Sequence, residues 1–240
     1  MESRETVLTG GRITEGVIRA GDTVRRPMGP HTPFVHLLLD HLEDAGFEGS
    51  PRVLGIDEEN REILTFIEGY VPPDLDTWSD EQLVRAAILI RRFHDTTAGS
   101  PLACDEEVVC HNDLSPCNTV FVEGMPSAFI DFDTASPGPR DQDPGHALWM
   151  FLDLGPDGAD IGTQGHRIRM MCDAYGFDYQ ADPIDTISRS QQMTLERSRA
   201  RIRAGGSAGS VAYARASVEW IRAEMAWLDA HRCELETAMC

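Results

Sequence analysis

The sequence contains no lysine. All 21 of its basic side chains are arginines, so any anion-binding role suited to a compact ammonium falls to a planar guanidinium that keeps its proton. No apolar run approaches the roughly 20 residues that a membrane-spanning helix needs. Residues 1–11 lack the apolar stretch of a secretory signal, and the expectation is a cytoplasmic protein. There is no internal repeat and no low-complexity segment. A basic excess is missing too: 40 acidic residues against 21 arginines leave a net charge of −19. That balance argues against a nucleic-acid partner, whose phosphates call for a basic footprint. It suits a cationic small molecule drawn in electrostatically, and it equally suits plain solubility.

Cysteine is present without a pattern. None of the six forms a C-x-x-C pair, so a disulfide framework is not expected. Cys110, His111, Asp113 and Cys117 include metal-ligating types, but their spacing fits no standard zinc module. With 240 residues, 41% of them hydrophobic and 25% charged, the chain can bury a core large enough for one domain or for two lobes sharing a cleft.

The hydrophobic and turn patterns divide the chain. Residues 9–16, TGGRITEG, form a glycine-containing turn region. Short strands are expected at 16–19 and 23–26, joined by Ala20-Gly21-Asp22. A helix over 34–45 follows, with Thr32 as N-cap, Pro33 as its first residue and Gly46 as its stop. A second strand pair is expected at 52–56 and 62–67. Gly69 to Pro73 breaks the pattern and marks a boundary between a β-rich part, 1–69, and a mostly helical part, 70–240. In the latter, Ser79 and Gln82 form a capping box ahead of a helix over 79–96. Residues 108–133 read as strands and loops with a tight turn at Glu123-Gly124. Later helices are expected over 143–152, 165–175, 183–204 and 211–235, with Trp220 and Trp227 as core residues.

The chemistry concentrates in residues 109–133, VCHNDLSPCNTVFVEGMPSAFIDFD. His111 and Asp113 are followed by Asn118 five residues after the aspartate, then by two strands, the second ending Ile130-Asp131-Phe132-Asp133. Phosphoryl transfer needs a group that orients an acceptor hydroxyl and takes its proton, and hard oxygen ligands for the metal ions that bridge the phosphates. H-x-D-x-x-x-x-N followed by a hydrophobic strand ending in Asp supplies these parts in order. Asp113 is the expected base, Asn118 and Asp131 the metal ligands with Asp133 beside them, and His111 the buttress of the loop. Each residue taken singly also has an ordinary reading as a turn former, a cap or a solvated strand end.

Together, HNDLSPCN and FIDFD resemble the aminoglycoside phosphotransferases, relatives of the eukaryotic protein kinases. The resemblance extends over roughly residues 5–155 and includes Pro139-Arg140-Asp141-Gln142-Asp143 ahead of an apolar helix. It implies an α+β, bilobal, protein-kinase-like fold, with a short β-rich N-lobe on the nucleotide side and a mostly helical C-lobe holding the catalytic loop and substrate pocket. It implies Mg²⁺ with ATP or GTP, and a small hydroxylated acceptor, an aminoglycoside being one such compound. It also implies that the backbone of Phe66, Ile67 and Glu68 binds the nucleobase edge.

Two features depart from that family's pattern. A strand lysine that contacts the α/β-phosphates and pairs with a helix glutamate has no counterpart here. Arg25 is the first expectation for the phosphate contact and Arg26 the second. His36 occupies the glutamate position, and Glu43, seven residues on, is the candidate to restore the pair. The glycine loop, TGGRITEG, is also not G-x-G-x-x-G. These departures keep a second reading open, a nucleotide-binding or immunity-type protein without catalysis. A third is transfer of a nucleotidyl rather than a phosphoryl group.

Overall fold

The structure, a computed structural model, describes residues 5–8 and 16–240. Apart from Gly16, the glycine-containing stretch 9–16 lies outside the described residues. The N-terminal part is an antiparallel sheet in the order β1-β2-β3-β5-β4, with β1 Glu5–Val7, β2 Ile18–Ala20, β3 Thr23–Pro27, β4 Val53–Ile56 and β5 Arg61–Thr65. The β2–β3 turn falls at the expected place, with Gly21 at φ +63°, a conformation glycine enters without a Cβ penalty. Residues 66 and 67, read as the end of a strand, lie beyond β5.

Helix α1, Thr32–Asp44, buries Val35, Leu38, Leu39 and Leu42. That spacing puts one apolar stripe against the core. The N-cap is His31 rather than Thr32, whose hydroxyl instead accepts a hydrogen bond from the Gly29 N–H at 2.9 Å. The chain then leaves the sheet through Gly69. A Cβ there would lie 2.5 Å from Val120 Cγ1 and 2.7 Å from the Phe121 carbonyl oxygen, so only glycine lets the two segments approach. Tyr70 and Phe121 exchange backbone hydrogen bonds at 2.8 and 2.7 Å, tying this junction to the helical part.

Helix α2, Asp80–Thr97, starts with the Ser79/Gln82 capping box and buries Leu83, Ala87, Ile90 and Phe93. Two small sheets follow. β6, Val108–Cys110, pairs with β9, Ser136–Gly138, and β7, Thr119–Val122, pairs with β8, Met125–Phe129. Glu123 and Gly124 both take positive φ, as a tight hairpin turn requires. The remaining helices are α3 Gln142–Phe151, α4 Ile161–Tyr175, α5 Pro183–Ala204 and α6 Ala208–Met239. Helix α4 begins four residues before the expected start because Asp160 caps it, accepting from the Thr163 N–H at 3.0 Å.

The core runs from α1 through α2 to the C-terminal helices, with Leu38, Phe93, Phe129, Phe132 and Trp149 fully buried. Burying a side chain of this size contributes about 1.5–3 kcal/mol. Trp227 packs against this core as expected, whereas Trp220 reaches the surface while stacking on Trp149 with ring centroids 4.9 Å apart. The architecture is the expected α+β one, a small antiparallel sheet region ahead of a mostly helical part. Among the described residues no helix is long and apolar enough to cross a membrane.

Candidate active site

The loop after β6 is folded by its own side chains. The Asn118 amide donates to the backbone oxygen of Asp113 at 2.9 Å and to its Oδ2 at 2.8 Å. The Asn118 carbonyl accepts from the Ile130 N–H at 2.9 Å, which sets Asp131 beside the loop. The β7–β8 hairpin thus folds the second motif back onto the first. Asp131 sits at φ 64°, ψ 60°, and Asn112 at φ 68°. Asn and Asp are the non-glycine residues that best tolerate this left-handed region, and it is favoured where a site needs an unusual backbone. The Asp113 side chain is 43% exposed and those of Asp131 and Asp133 42% each, so all three carboxylates reach solvent.

Behind them lies a dry support. His111 is fully buried, holds the Ile130 carbonyl through Nε2 at 3.0 Å, and packs on Phe132 with centroids 4.6 Å apart. Asp143, also fully buried, accepts from the backbone N–H groups of His111 at 2.7 Å and Asn112 at 2.8 Å, and pairs with His94 Nε2 at 2.9 Å. Burial alone would raise the Asp143 pKa. The His94 bond and charge, His111 and the backbone donors outweigh it and hold the group below the ordinary carboxylate value.

Cys110 lies with His94 and Asp143, their ligand-type atoms within 4.8 Å of one another. Each is already engaged: the Cys110 thiol donates to the Pro139 carbonyl at 3.3 Å, and burial, with Asp143 beside it, pushes its pKa up. A metal here would have to displace this network. The grouping is therefore a hydrogen-bonded support for the loop, and it is not the Cys110–Cys117 set considered from the sequence.

The two arginines of β3 point to opposite faces, as neighbours on a strand must. Arg25 lies 3.8 Å from both Glu5 and Asp57, away from the loop. Arg26 turns toward it. Its Nε–H donates to Glu62 Oε1 at 2.6 Å, its Nη1 lies 3.2 Å from Asp131 Oδ1, and its Nη2 pairs with Asp133. Burial on its own would lower the Arg26 pKa; Asp133, Glu62 and Asp131 together raise it. Of the two arginines, Arg26 is the one beside Asp131 and Asp133. Its helix-side partner is not Glu43, which lies 4.0 Å from Arg52. The partner is Glu62 on β5, directly across from Arg26 in register, and Glu62 Oε2 holds His36 Nε2 at 2.8 Å. Arg26, Glu62 and His36 form one hydrogen-bonded cluster.

Residues 66–68 follow β5 at the Thr23 end of β3, the other end of the strand pair from Arg26 and Glu62. The Phe66 N–H donates to the Asp22 carbonyl at 2.8 Å, the Arg19 guanidinium lies 3.6 Å above the Phe66 ring, and Arg19 pairs with Glu68. Phe66 and Ile67 are half-buried and Glu68 is exposed.

The donor set fits a divalent cation. Asp131 and Asp133 offer carboxylate oxygens that already attract one cation, the Arg26 guanidinium, and Asn118 Oδ1 accepts no hydrogen bond among the described residues. Hard oxygen ligands of this kind suit Mg²⁺.

Two residues of the site escaped the sequence reading. His146 of α3 brings Nε2 to 3.7 Å from Asp113 Oδ1. Arg197 of α5 donates through Nη1 to the Asn112 carbonyl at 2.7 Å. Burial lowers the Arg197 pKa, with Asp113 and Asp143 opposing the shift. No local spacing announces either residue, because both arrive through the packing of distant helices.

A small antiparallel sheet region followed by a mostly helical part is the architecture of the kinase-like phosphotransferase fold. The chain belongs to the phosphotransferase enzyme family, whose family model matches residues 39–182. A trifolitoxin immunity protein from Rhizobium leguminosarum bv. trifolii is 35% identical over 196 residues, covering 72% of this chain and 74% of that protein. The GDP complex of aminoglycoside 2'-phosphotransferase-IIIa superposes with a TM-score of 0.63 at 16% identity, over 93% of each chain. The gentamicin–APH(2")-IIa complex gives 0.61 at 14% identity, over 93% of this chain and 91% of that one. A choline/ethanolamine kinase family protein from Mesorhizobium loti gives 0.58 at 17% identity, over 98% and 92%. At these identities the solved structures establish the fold.

Proposed function

We propose that the protein is a Mg²⁺-dependent phosphotransferase that moves the γ-phosphoryl group of ATP or GTP onto a hydroxyl of a small molecule. The observation that supports this reading is that the Asn118 amide holds Asp113 while the Asn118 backbone carbonyl accepts from the Ile130 N–H, next to Asp131. In this reading residues 1–69 form the nucleotide-side lobe and 70–240 the catalytic and substrate side, with the junction at Gly69. The backbone of residues 66–68 meets the nucleobase edge, and Arg26 turns from its carboxylates to the phosphates. Asn118, Asp131 and Asp133 hold the metal, which when bound neutralises charge on the phosphate oxygens. Asp113 orients the acceptor and takes its proton. The acceptor oxygen bonds to the γ-phosphorus as the bond to the β–γ bridging oxygen breaks, and the nucleoside diphosphate leaves with that electron pair.

Antibiotics are the favoured acceptor class, since solved neighbours are complexes with gentamicin, streptomycin and spectinomycin. The net charge of −19 suits such cations. This chemistry belongs in the cytoplasm, where nucleoside triphosphates are plentiful.

A second reading, nucleotide binding without transfer, is favoured by the arginine already engaged with Asp131 and Asp133 and by the relative named for immunity. Incubation with Mg²⁺, ATP or GTP and a panel of aminoglycosides, nucleosides, peptide antibiotics and amino alcohols separates the two. Phosphoryl transfer predicts an acceptor that gains the mass of one phosphate, and loses that gain with Asp113→Ala. Turnover that persists in Asp113→Ala removes Asp113 as the base. Stabilisation by Mg·ATP with no acceptor and no hydrolysis supports the second reading, and a nucleotidyl mass gain points to the other bond being broken.

A further inference from the structure

We propose that His146 is a positioning residue for the Asp113 carboxylate, clamping it from the side opposite Asn118. The inference rests on the reading of Asp113 as the proton acceptor.

Asp113 Oδ2 is held by the Asn118 amide at 2.8 Å, while Oδ1 has no hydrogen bond among the described residues. The atom facing Oδ1 is His146 Nε2, 3.7 Å away. His146 is 4% exposed, and that nitrogen is buried without a hydrogen-bond partner. A buried polar atom left unpaired costs free energy and calls for an explanation. Here the explanation is functional, because the nearest carboxylate reaches solvent and turns toward an incoming acceptor. Hydrogen bonds of catalytic groups are often long in the unliganded protein and tighten when substrate docks.

The other ring nitrogen fixes the tautomer. His146 Nδ1 lies 3.0 Å from Ser190 Oγ, and a hydroxyl can rotate to donate to it. The proton then sits on Nε2, facing an ionised carboxylate that can only accept. Burial lowers the His146 pKa, with Asp113 and Asp143 opposing and Arg197 and His111 assisting, so the ring is neutral. A neutral Nε2–H orients Asp113 without neutralising it, leaving a lone pair for the acceptor proton. The ring itself is fixed by packing: its centroid lies 5.8 Å from that of Trp149, edge to face.

Three substitutions separate this role from a merely structural one. Glutamine places its amide nitrogen near the former Nε2, whereas asparagine reaches only the Nδ1 position that serves Ser190. With an acceptor from the panel, His146→Gln is expected to keep kcat within about threefold. His146→Asn and His146→Phe are expected to lose roughly tenfold or more, with the KM for ATP unchanged. Equal losses for Gln and Asn, or a change confined to KM, overturn the proposal.

Nitrogen-15 histidine spectra of the intact protein decide the pairing without any acceptor. The proposal expects His146 to be protonated on Nε2, with ring signals that move in Asp113→Asn. A proton on Nδ1, or signals indifferent to Asp113→Asn, overturns it. Failure of the wild-type protein to phosphorylate any acceptor counts against the functional reading instead, and leaves the pairing to be decided by the spectra.

Discussion

Arg26 and Glu62 face each other across β3 and β5, joined at 2.6 Å, with the Glu62 side chain fully buried and that of Arg26 11% exposed. Glu62 also holds His36, so one carboxylate anchors both the strand arginine and helix α1. Glu62→Gln leaves the buried guanidinium without its fully buried counter-charge. Removing one member of a buried pair costs about 3–5 kcal/mol. The expected result is a marked fall in Tm by calorimetry together with weaker Mg·ATP binding. An unchanged Tm would show that Arg26 is held by Asp131 and Asp133 alone.

Asp143→Asn tests the support beneath the catalytic loop. The amide keeps one acceptor oxygen but sets an NH2 against a backbone N–H, and an unsatisfied buried group costs about 1–3 kcal/mol, more where a charge is lost. Because the folded pKa of Asp143 lies below its unfolded value, its contribution is complete above about pH 4 and is lost as pH falls through the folded pKa. Acid titration of Tm is expected to be steeper in the wild type than in Asp143→Asn, with activity lower in the variant at every pH.

Glu224 of α6 carries the opposite sign. Burial, with Asp153 and Asp157 nearby, pushes its pKa up to about 7. A carboxyl whose folded pKa exceeds its unfolded one binds more protons in the native state. Stability therefore declines as pH rises from the ordinary glutamate value, about 4.3, toward 7. Glu224→Gln is expected to remove this decline and to raise Tm at pH 8 more than at pH 5, read by a pH series of melting curves. Equal effects at both pH values would place the cost in packing, since the Glu224 carboxylate lies against Gly155.

The motif residues were legible because the chain brings them together locally. Asp113 and Asn118 share one loop, and a short hairpin returns Asp131 to it, so linear order alone implies their proximity. The same holds for α2 and α5, whose capping box, proline start and glycine stop are written within a few residues of each end. The Arg26–Glu62–His36 cluster was only half legible. Which arginine faces inward depends on the β3–β5 register, and Glu62 enters across strands rather than along α1 where Glu43 stands. His146 and Arg197 were not legible, since their approach to the loop is set by how α3 and α5 pack.

Manganese provides the most direct test of the proposed metal site, because Mn²⁺ replaces Mg²⁺ on oxygen ligands and its bound fraction is read by electron paramagnetic resonance. Titration of the protein with Mn·ATP is expected to show saturable binding that is weakened at least roughly tenfold in Asp131→Asn and Asn118→Ala, as loss of metal-orienting groups typically does. Asp113→Ala is expected to retain it. Binding of equal strength in the wild type, Asp131→Asn and Asn118→Ala would contradict the assignment of these oxygens to the metal–nucleotide site.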